Sequence, residues 1–225
     1  MGLRLFDPGF IPGRTGAGMK LYDVTLSVDE RLAGWPGDAP YRLEWTCTRA
    51  GGASVNLGQV SLSLHTGTHT DAPYHFDDAG ARVDAVPLSA YLGPARVVDV
   101  SGRPIVRRAD LEGIDFTSAP RLLLRTGAWA DHGRFPASVP TLAADVPAWL
   151  HERGVVLLGV DVPSVDALDS KDLPIHQALG RHGIAILESL DLAGVPEGTY
   201  ELTALPLRLA GADGSPVRAV LRAIS

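Results

Sequence analysis

The sequence predicts an α/β fold with a mixed, strand-dominated sheet or barrel and few short helices. Two observations predict this class: strand patterns outnumber helical ones, and the helical segments are short. The composition, with 45% hydrophobic and 20% charged residues, is that of a globular protein. A chain of 225 residues can form one domain with a substantial core. We expect a single domain over residues 19–225 after a loose N-terminal extension over residues 1–18, because Met19 directly precedes the first strand pattern.

The first three strands are predicted by alternating apolar and polar residues. Residues 20–28 alternate in this way, and a turn-rich loop over 35–40 separates them from a second strand at 41–47. The third strand covers residues 55–64. From Val60 to Leu64 its apolar residues recur at every second position and therefore share one face. This strand leads directly into a segment rich in histidine.

The later elements are apolar strands with short helices between them. Strands are expected at 95–100, 121–125, 155–160 and 184–187. Short helical turns are expected at 87–92 and 108–111. A longer helix over 145–151 has Asp145 in the N-cap position, and another begins at Pro174, because Pro is tolerated in a first turn.

The C-terminal segment has the pattern of a β-hairpin. Residues 200–209 and 217–224 read as strands, and the residues between them, 211–215, have the Gly- and Asp-containing composition of a hairpin loop. We therefore expect the chain to end in two paired strands.

The histidine-rich segment, residues 63–76, contains four side chains of the types that bind zinc. His65, His69, Asp71 and His75 supply three imidazoles and one carboxylate within eleven residues. Each histidine alone is more often a hydrogen-bonded core residue than a ligand, but this density of donors favours a metal site. We expect the site at the end of the third strand.

The local conformation of this segment is predicted to be a strand followed by a tight turn. The spacing of His65 and His69 matches two ligands on one helix face, as in metalloproteases. Gly67 and the neighbouring threonines disfavour a helix, however, and Pro73 pushes the residue before it out of the α region. An extended segment after a glycine turn fits the residues better.

The pattern His65-x-Gly67-Thr68-His69-x-Asp71-x-Pro73-x-His75 resembles the signature of the cyclase family of metal-dependent amidohydrolases. The resemblance extends from about residue 20 to the C-terminus. Further matching segments are Trp35-Pro36-Gly37-Asp38, Asp161 to Asp166, Leu173 to His176, Glu188 and Ala204 to Leu207. The resemblance implies a swivelling β/β/α arrangement and a homo-oligomer, at least a dimer.

The resemblance also implies a binuclear metal site. Its ligands would be His65, His69, Asp71, His176 and Glu188. Asp71 would bridge two ions. His65 and His69 would complete one site, and His176 and Glu188 would complete the other. Five ligands exceed the three that one catalytic zinc needs, so two ions are the simpler account. Zinc is expected, with two ions per chain, and manganese is the alternative.

The activity that the resemblance implies is hydrolysis of an aryl formamide, N-formyl-L-kynurenine, to L-kynurenine and formate. A metal-acidified water would be the nucleophile, and the sequence accordingly contains no Gly-x-Ser-x-Gly motif. His75 would be the acid/base residue, and Trp35 would contact the aromatic ring of the substrate. From the residues alone, Trp35 could equally cover the core.

Two other functions remain open at this point. A related cyclic or aryl amide hydrolase, such as an enzyme that opens the lactam of isatin, would use the same ligands. A non-catalytic, metal-stabilised binding module would use the ions only for structure. His75 argues against the second alternative, because a structural site would not need an additional imidazole.

Composition excludes several partners. The net charge of −6 argues against nucleic acid and anionic membrane surfaces. Cys47 is the single cysteine, so no internal disulfide forms, and a cytoplasmic location is expected.

Asp161, Asp166 and Asp169 either orient a ligand or cap turns, and the sequence does not choose between these roles. The other three histidines are expected at the surface: His132, His151 and His182.

Overall fold

The computed structural model describes residues 20–224, and its centre is a curled half-barrel sheet of nine strands. The strands are β1 (Leu21–Asp23), β2 (Arg42–Cys47), β3 (Leu57–Ser61), β4 (His69–Asp71), β5 (Leu92–Asp99), β6 (Ile105–Val106), β7 (Arg121–Arg125), β8 (Thr141–Leu142), β9 (Leu157–Val160), β10 (Ala185–Glu188), β11 (Gly198–Thr203), β12 (Gly214–Pro216) and β13 (Val220–Ala223). The α-helices of the described residues are α1 (Val146–Glu152) and α2 (Pro174–Arg181), and short 3-10 turns include Leu88–Ala90 and Arg108–Leu111. The predicted extension over residues 1–18 lies outside the described residues.

The main sheet is mixed, with the order β1-β13-β11-β5-β7-β9-β10-β4-β12. Its four central strands, β5, β7, β9 and β10, run parallel. Antiparallel strands flank them on both sides. The predicted strand-dominated α/β class is therefore confirmed.

The central strands are buried on both faces, as their continuous apolar sequences indicate. In β7, Leu122 and Leu124 pack into one hydrophobic core with both helices, while Leu123 packs into a second core on the opposite face. Successive side chains of a strand point to opposite faces, so one five-residue strand contributes to both cores. The last of these buried central strands, β10, lies directly beside β4.

Helix α1 forms where predicted, but its expected cap does not. Asp145 precedes the helix, yet its side chain makes no capping hydrogen bond. It pairs instead with Arg108, whose Nε lies 2.7 Å from Asp145 Oδ2. Pro147 in the first turn and the packing of Trp149 and Leu150 into the core account for the helix without that cap.

The predicted C-terminal hairpin is only partly correct. β11 and β13 pair antiparallel, as expected. The connecting residues are not a simple loop, however, because β12 leaves the hairpin and pairs with β4. β4 has backbone groups on its far side that need partners, and β12 supplies them. This connection brings residues 211–216 to the histidine-rich segment.

Strands β2 and β3 form a separate antiparallel ribbon that does not join the main sheet. Almost every residue of the ribbon is exposed, including Leu43, Trp45, Leu57 and Val60, and Trp45 has 58% of its surface exposed. No helix within residues 20–224 is long and apolar enough to cross a membrane.

Candidate metal centre

Strand β4 places two of the predicted ligands on one face of the sheet. His69 and Asp71 are two residues apart and therefore point the same way, while Thr70 points to the other face and donates a 2.6 Å hydrogen bond to the Ile186 carbonyl. Glu188, at the end of β10, pairs directly with His69 across the two strands. The three ligand-type side chains thus meet through sheet register.

All five predicted metal ligands come together around Asp71. Asp71 Oδ1 lies 3.0 Å from His65 Nδ1 and 3.4 Å from His69 Nε2, and Asp71 Oδ2 lies 3.4 Å from His176 Nε2. Glu188 closes the group, with its two carboxylate oxygens 3.5 Å from His69 Nε2 and 3.4 Å from His176 Nε2. All of these side chains are buried except that of His65, which is half-buried.

Each of these three imidazoles has its second nitrogen bound to another acceptor of the protein. The pairs are His65 Nε2 with Asp213 Oδ2 at 2.9 Å, His69 Nδ1 with the Gly67 carbonyl at 2.8 Å, and His176 Nδ1 with Asp166 Oδ2 at 2.7 Å. In metal sites, such contacts fix the tautomer and the orientation of a ligating ring. One nitrogen of each ring therefore remains directed at Asp71.

Asp166 is the carboxylate that orients His176, which decides among the three aspartates left open by the sequence. Besides the imidazole, it accepts hydrogen bonds from the backbone N–H groups of Ile175 and His176, at the start of α2. Asp161 instead accepts from Thr126 and from a neighbouring backbone N–H. Asp169 is exposed. Helix α2 and its buried His176 are thus fixed to the same carboxylate.

The charges of the cluster fit a bound cation. Asp71 is buried, and its Oδ2 atom has no hydrogen-bond partner within the described chain. Burial disfavours its ionisation, but the imidazoles of His176 and His65 hold the pKa of Asp71 well below its usual value. A buried, unpaired carboxylate oxygen is costly, and a cation would remove that cost.

The donor atoms form two groups that are compact enough for an ion. One group contains His69, Asp71 and Glu188, and the other contains His65, Asp71 and His75. Both include Asp71, as a bridging carboxylate requires. The second group uses His75 where the resemblance implied His69, so the division of ligands between two ions stays a prediction.

His75 stands beside the cluster and faces the cavity above it. Its ring centroid lies 4.0 Å from that of His65, and its Nδ1 lies 3.4 Å from Asp213 Oδ2. Burial lowers the pKa of His75, and the Asp71 carboxylate only partly offsets that effect. A neutral imidazole at this position can accept a proton.

The cavity above the cluster has a volume of about 500 Å³. The cluster forms its floor, and aromatic side chains, including Trp35, Trp129 and Phe135, form its walls. The rings of Trp35 and Phe135 are 5.1 Å apart and nearly perpendicular. Trp35 is 37% exposed, so of the two interpretations open from the sequence, the pocket wall fits its position.

Asp213 contacts the cluster directly, and the sequence did not predict it. Its backbone carbonyl accepts a 2.9 Å hydrogen bond from the Ala72 N–H, and its side chain contacts both His65 and His75. A Cβ on the next residue, Gly214, would lie 2.9 Å from His65 Cε1. The composition of residues 211–215 gave no signal of this role, because it is also that of an ordinary hairpin loop.

The remaining histidines lie away from the cavity. His151 is exposed, and its ring is 5.0 Å from that of the half-buried His182. His132 is also half-buried and contacts Trp129. None of the three lines the cavity. The expectation of surface positions therefore holds fully for His151 and only in part for the other two.

Imidazole and carboxylate donors that meet at the floor of an open cavity are typical of metal-dependent hydrolases. Comparison with known proteins gives the same class. The chain belongs to the cyclase family, since the family described as "Putative cyclase" matches residues 22–167.

Several relatives resemble the chain over most of its length. A kynurenine formamidase of Bacillus mycoides (strain KBAB4) is 47% identical over 202 residues, which cover 90% of this chain and 97% of the relative. A solved structure of a predicted metal-dependent hydrolase from Bacillus stearothermophilus is 28% identical, with a TM-score of 0.77 and coverage of 92% and 99% of the two chains. Isatin hydrolase A from Ralstonia solanacearum, 24% identical with a TM-score of 0.76 and coverage of 92% of both chains, shares the fold.

Proposed function

We propose that this protein hydrolyses N-formyl-L-kynurenine to L-kynurenine and formate with two zinc ions per chain. The observation that carries the proposal is the convergence of five donor side chains, with Asp71 at their centre, at the floor of an aromatic cavity. The similarity to kynurenine formamidases over 90% of the chain supports this substrate. Manganese is the alternative metal.

The proposed ligands are Asp71 and the four side chains grouped around it: His65, His69, His176 and Glu188. When bound, the two ions would supply Lewis acidity, which polarises an amide carbonyl and lowers the pKa of water. The protein contributes rings that are already oriented by Asp213, Gly67 and Asp166, so little reorganisation is needed on binding.

We propose that His75 transfers the proton during hydrolysis. It accepts a proton from the attacking water as the carbon–oxygen bond forms. It then donates that proton to the anilide nitrogen as the carbon–nitrogen bond breaks, giving formate and the free arylamine. Asp213 contacts Nδ1 of His75, so the other ring nitrogen, Nε2, would be available for this transfer.

Trp35 and Phe135 are proposed to hold the substrate ring. Their perpendicular rings line the cavity, and aromatic contacts of this kind stabilise a bound ring by about 0.5–1.5 kcal/mol beyond simple burial. A Trp35→Ala change should therefore raise KM more than it lowers kcat.

The test is steady-state hydrolysis of N-formyl-L-kynurenine by the purified protein, followed by kynurenine absorbance, with isatin as the competing substrate. Efficient formamide turnover with little isatin opening supports the proposal. Isatin opening alone would replace it with lactam hydrolysis. Turnover of neither compound, together with cooperative unfolding on chelation, would favour a metal-stabilised binding module.

A homodimer formed through the β2–β3 ribbon is also proposed. A two-stranded ribbon is at best marginally stable in water by itself, and this one exposes Trp45, Leu57 and Val60. Light scattering should give twice the mass of one chain, and Trp45→Ser should shift the protein towards monomer. A monomeric wild-type protein at micromolar concentration would contradict this proposal.

The cytoplasmic location stays a prediction that rests on the single cysteine. The single domain over residues 19–225 is likewise proposed, with no partner among nucleic acids or membranes.

A further inference from the structure

The cavity carries one positive and one negative side chain that the metal cluster and the proposed proton transfer do not use. Lys171 is the single Lys or Arg among the described residues that line the cavity. Within residues 20–224 it forms no ion pair, since the ion pairs there involve other side chains. Asp38 lines the same cavity.

Asp38 is held close to the floor of the cavity. Its Oδ2 accepts a 2.7 Å hydrogen bond from Ser63 Oγ, two residues before His65, and its backbone N–H donates to the Trp35 carbonyl at 3.0 Å. The Asp38 carboxylate is therefore fixed to the histidine-rich segment, and its backbone is fixed to the turn that carries Trp35.

Lys171 lies on a different loop, which leads into α2. Ser170 Oγ accepts a 3.2 Å hydrogen bond from the Leu173 N–H, and α2 follows with the buried His176. Both of these loop residues also line the cavity. The positive and the negative side chain therefore reach the cavity from separate loops, each of which is attached close to a proposed metal ligand.

This pair of charges matches the part of the proposed substrate that the rest of the site leaves unbound. N-formylkynurenine has a formamide, an aromatic ring and a side arm that ends in an α-ammonium and an α-carboxylate group. With the formamide at the cluster and the ring against Trp35, the arm remains. Isolated charges in a cavity favour ligands of opposite charge.

We propose that Lys171 binds the α-carboxylate and Asp38 the α-ammonium group, so that the cavity selects aryl formamides with a zwitterionic amino-acid arm. This inference rests on the proposed formamide hydrolysis and extends it to substrate selection. It requires the arm to contribute to binding, whereas the metal cluster acts on the formamide alone.

The first test compares Lys171→Met with the wild type on three formamides. These are N-formyl-L-kynurenine, N-formylkynuramine, which lacks the carboxylate, and 2-formamidoacetophenone, which lacks both charges. Lys171→Met should lower kcat/KM roughly five- to twentyfold for the first compound, mainly through KM, and leave the other two within about twofold. Equal effects on all three would overturn the carboxylate contact.

The second test uses Asp38→Asn, which keeps an acceptor for Ser63. It should lower kcat/KM for both compounds that carry an ammonium group and spare 2-formamidoacetophenone. Lys20→Met is the matched control, because Lys20 is the other lysine of the chain and lies over the Tyr22 ring, outside the cavity. This control should behave as wild type on all three compounds.

Measuring the binding of the product tests this inference independently of the proposed reaction. Calorimetry should show that Lys171→Met weakens L-kynurenine binding roughly five- to twentyfold but does not change binding of 2-aminoacetophenone. Unchanged affinity for L-kynurenine would overturn the inference even if all formamides are hydrolysed. Loss of formamide turnover in the wild type, with selective kynurenine binding intact, would instead count against the proposed reaction alone.

Discussion

At the scale of single residues, Asp71 connects the two halves of the candidate metal centre. One of its oxygens faces His65 and His69, and the other faces His176 and has no hydrogen-bond partner within residues 20–224. A carboxylate with a ligand-type imidazole near each oxygen is suited to bridge two ions. The histidines around it depend in turn on their own acceptors, which makes those acceptors testable.

Asp166→Asn should weaken zinc binding by roughly 10–100-fold, because the amide has no charge and keeps only one of the two acceptor oxygens that hold His176 and the start of α2. Competition with a chromogenic chelator measures this affinity. Asp169→Asn is the matched control, since Asp169 is an exposed aspartate of the same loop. Equal affinities of the two variants would show that Asp166 serves only to begin α2.

His75→Ala should lower kcat by about 10²–10⁴-fold while the zinc content stays at the wild-type value, because a proton-transfer residue is lost and no ligand is removed. Metal analysis of the purified variant provides the second readout. Loss of one zinc per chain would instead make His75 a ligand, in the donor group that it forms with His65 and Asp71.

At the scale of elements, the site depends on strand pairing that local sequence does not determine. The segment from His65 to His75 could be predicted, because its ligands, turn glycine and proline all lie within eleven residues. Glu188 and His176 were chosen through the family resemblance alone. Their approach to Asp71 depends on the antiparallel pairing of β10 with β4 and on the position of α2.

Asp213 shows the same limit more clearly. Residues 211–215 have the composition of a hairpin loop, and β11 and β13 do pair as a hairpin. Only the additional pairing of β12 with β4 brings Asp213 to His65. The composition of a turn predicts its local conformation. It does not predict which distant strand the loop will pair with.

Gly214→Ala tests this pairing. The added methyl would lie 2.9 Å from His65 Cε1 and 3.0 Å from the Thr70 carbonyl, so either the ring or β12 must shift. We expect a loss of about 1–3 kcal/mol in unfolding free energy and weaker zinc binding. Gly194→Ala is the control, because a Cβ there meets nothing within 4 Å. Wild-type stability and zinc affinity in Gly214→Ala would contradict the close packing of β12 on the site.

At the scale of the whole molecule, one nine-stranded sheet with two cores supports a concentrated group of carboxylates and imidazoles. Burial opposes protonation of His65, but its contacts with Asp71 and Asp213 raise its pKa from 6.5 to about 9. The contacts of His176 with Asp166 and other carboxylates outweigh burial in the same way and raise its pKa to about 12. Without metal, protons on these rings balance the carboxylates.

Protein stripped of metal should therefore lose stability in alkaline solution. A pKa that is raised on folding contributes stability that is complete below the unfolded pKa of about 6.5 and is lost as the pH rises through the folded value, about 9 for His65. Urea unfolding between pH 6 and 10 measures this loss. Zinc-loaded protein is the control, because metal replaces the protons. A flat profile for stripped protein would contradict the assigned contacts of His65.

The residues around Asp71 are proposed to form a two-metal hydrolytic centre. Titration of zinc into stripped protein, with N-formyl-L-kynurenine hydrolysis recorded at each addition, tests this proposal. We expect negligible activity without zinc and a rise that ends at about two ions per chain, because the donors form two groups that share one carboxylate. Full activity in stripped protein, or no activity at any zinc content, would contradict the claim.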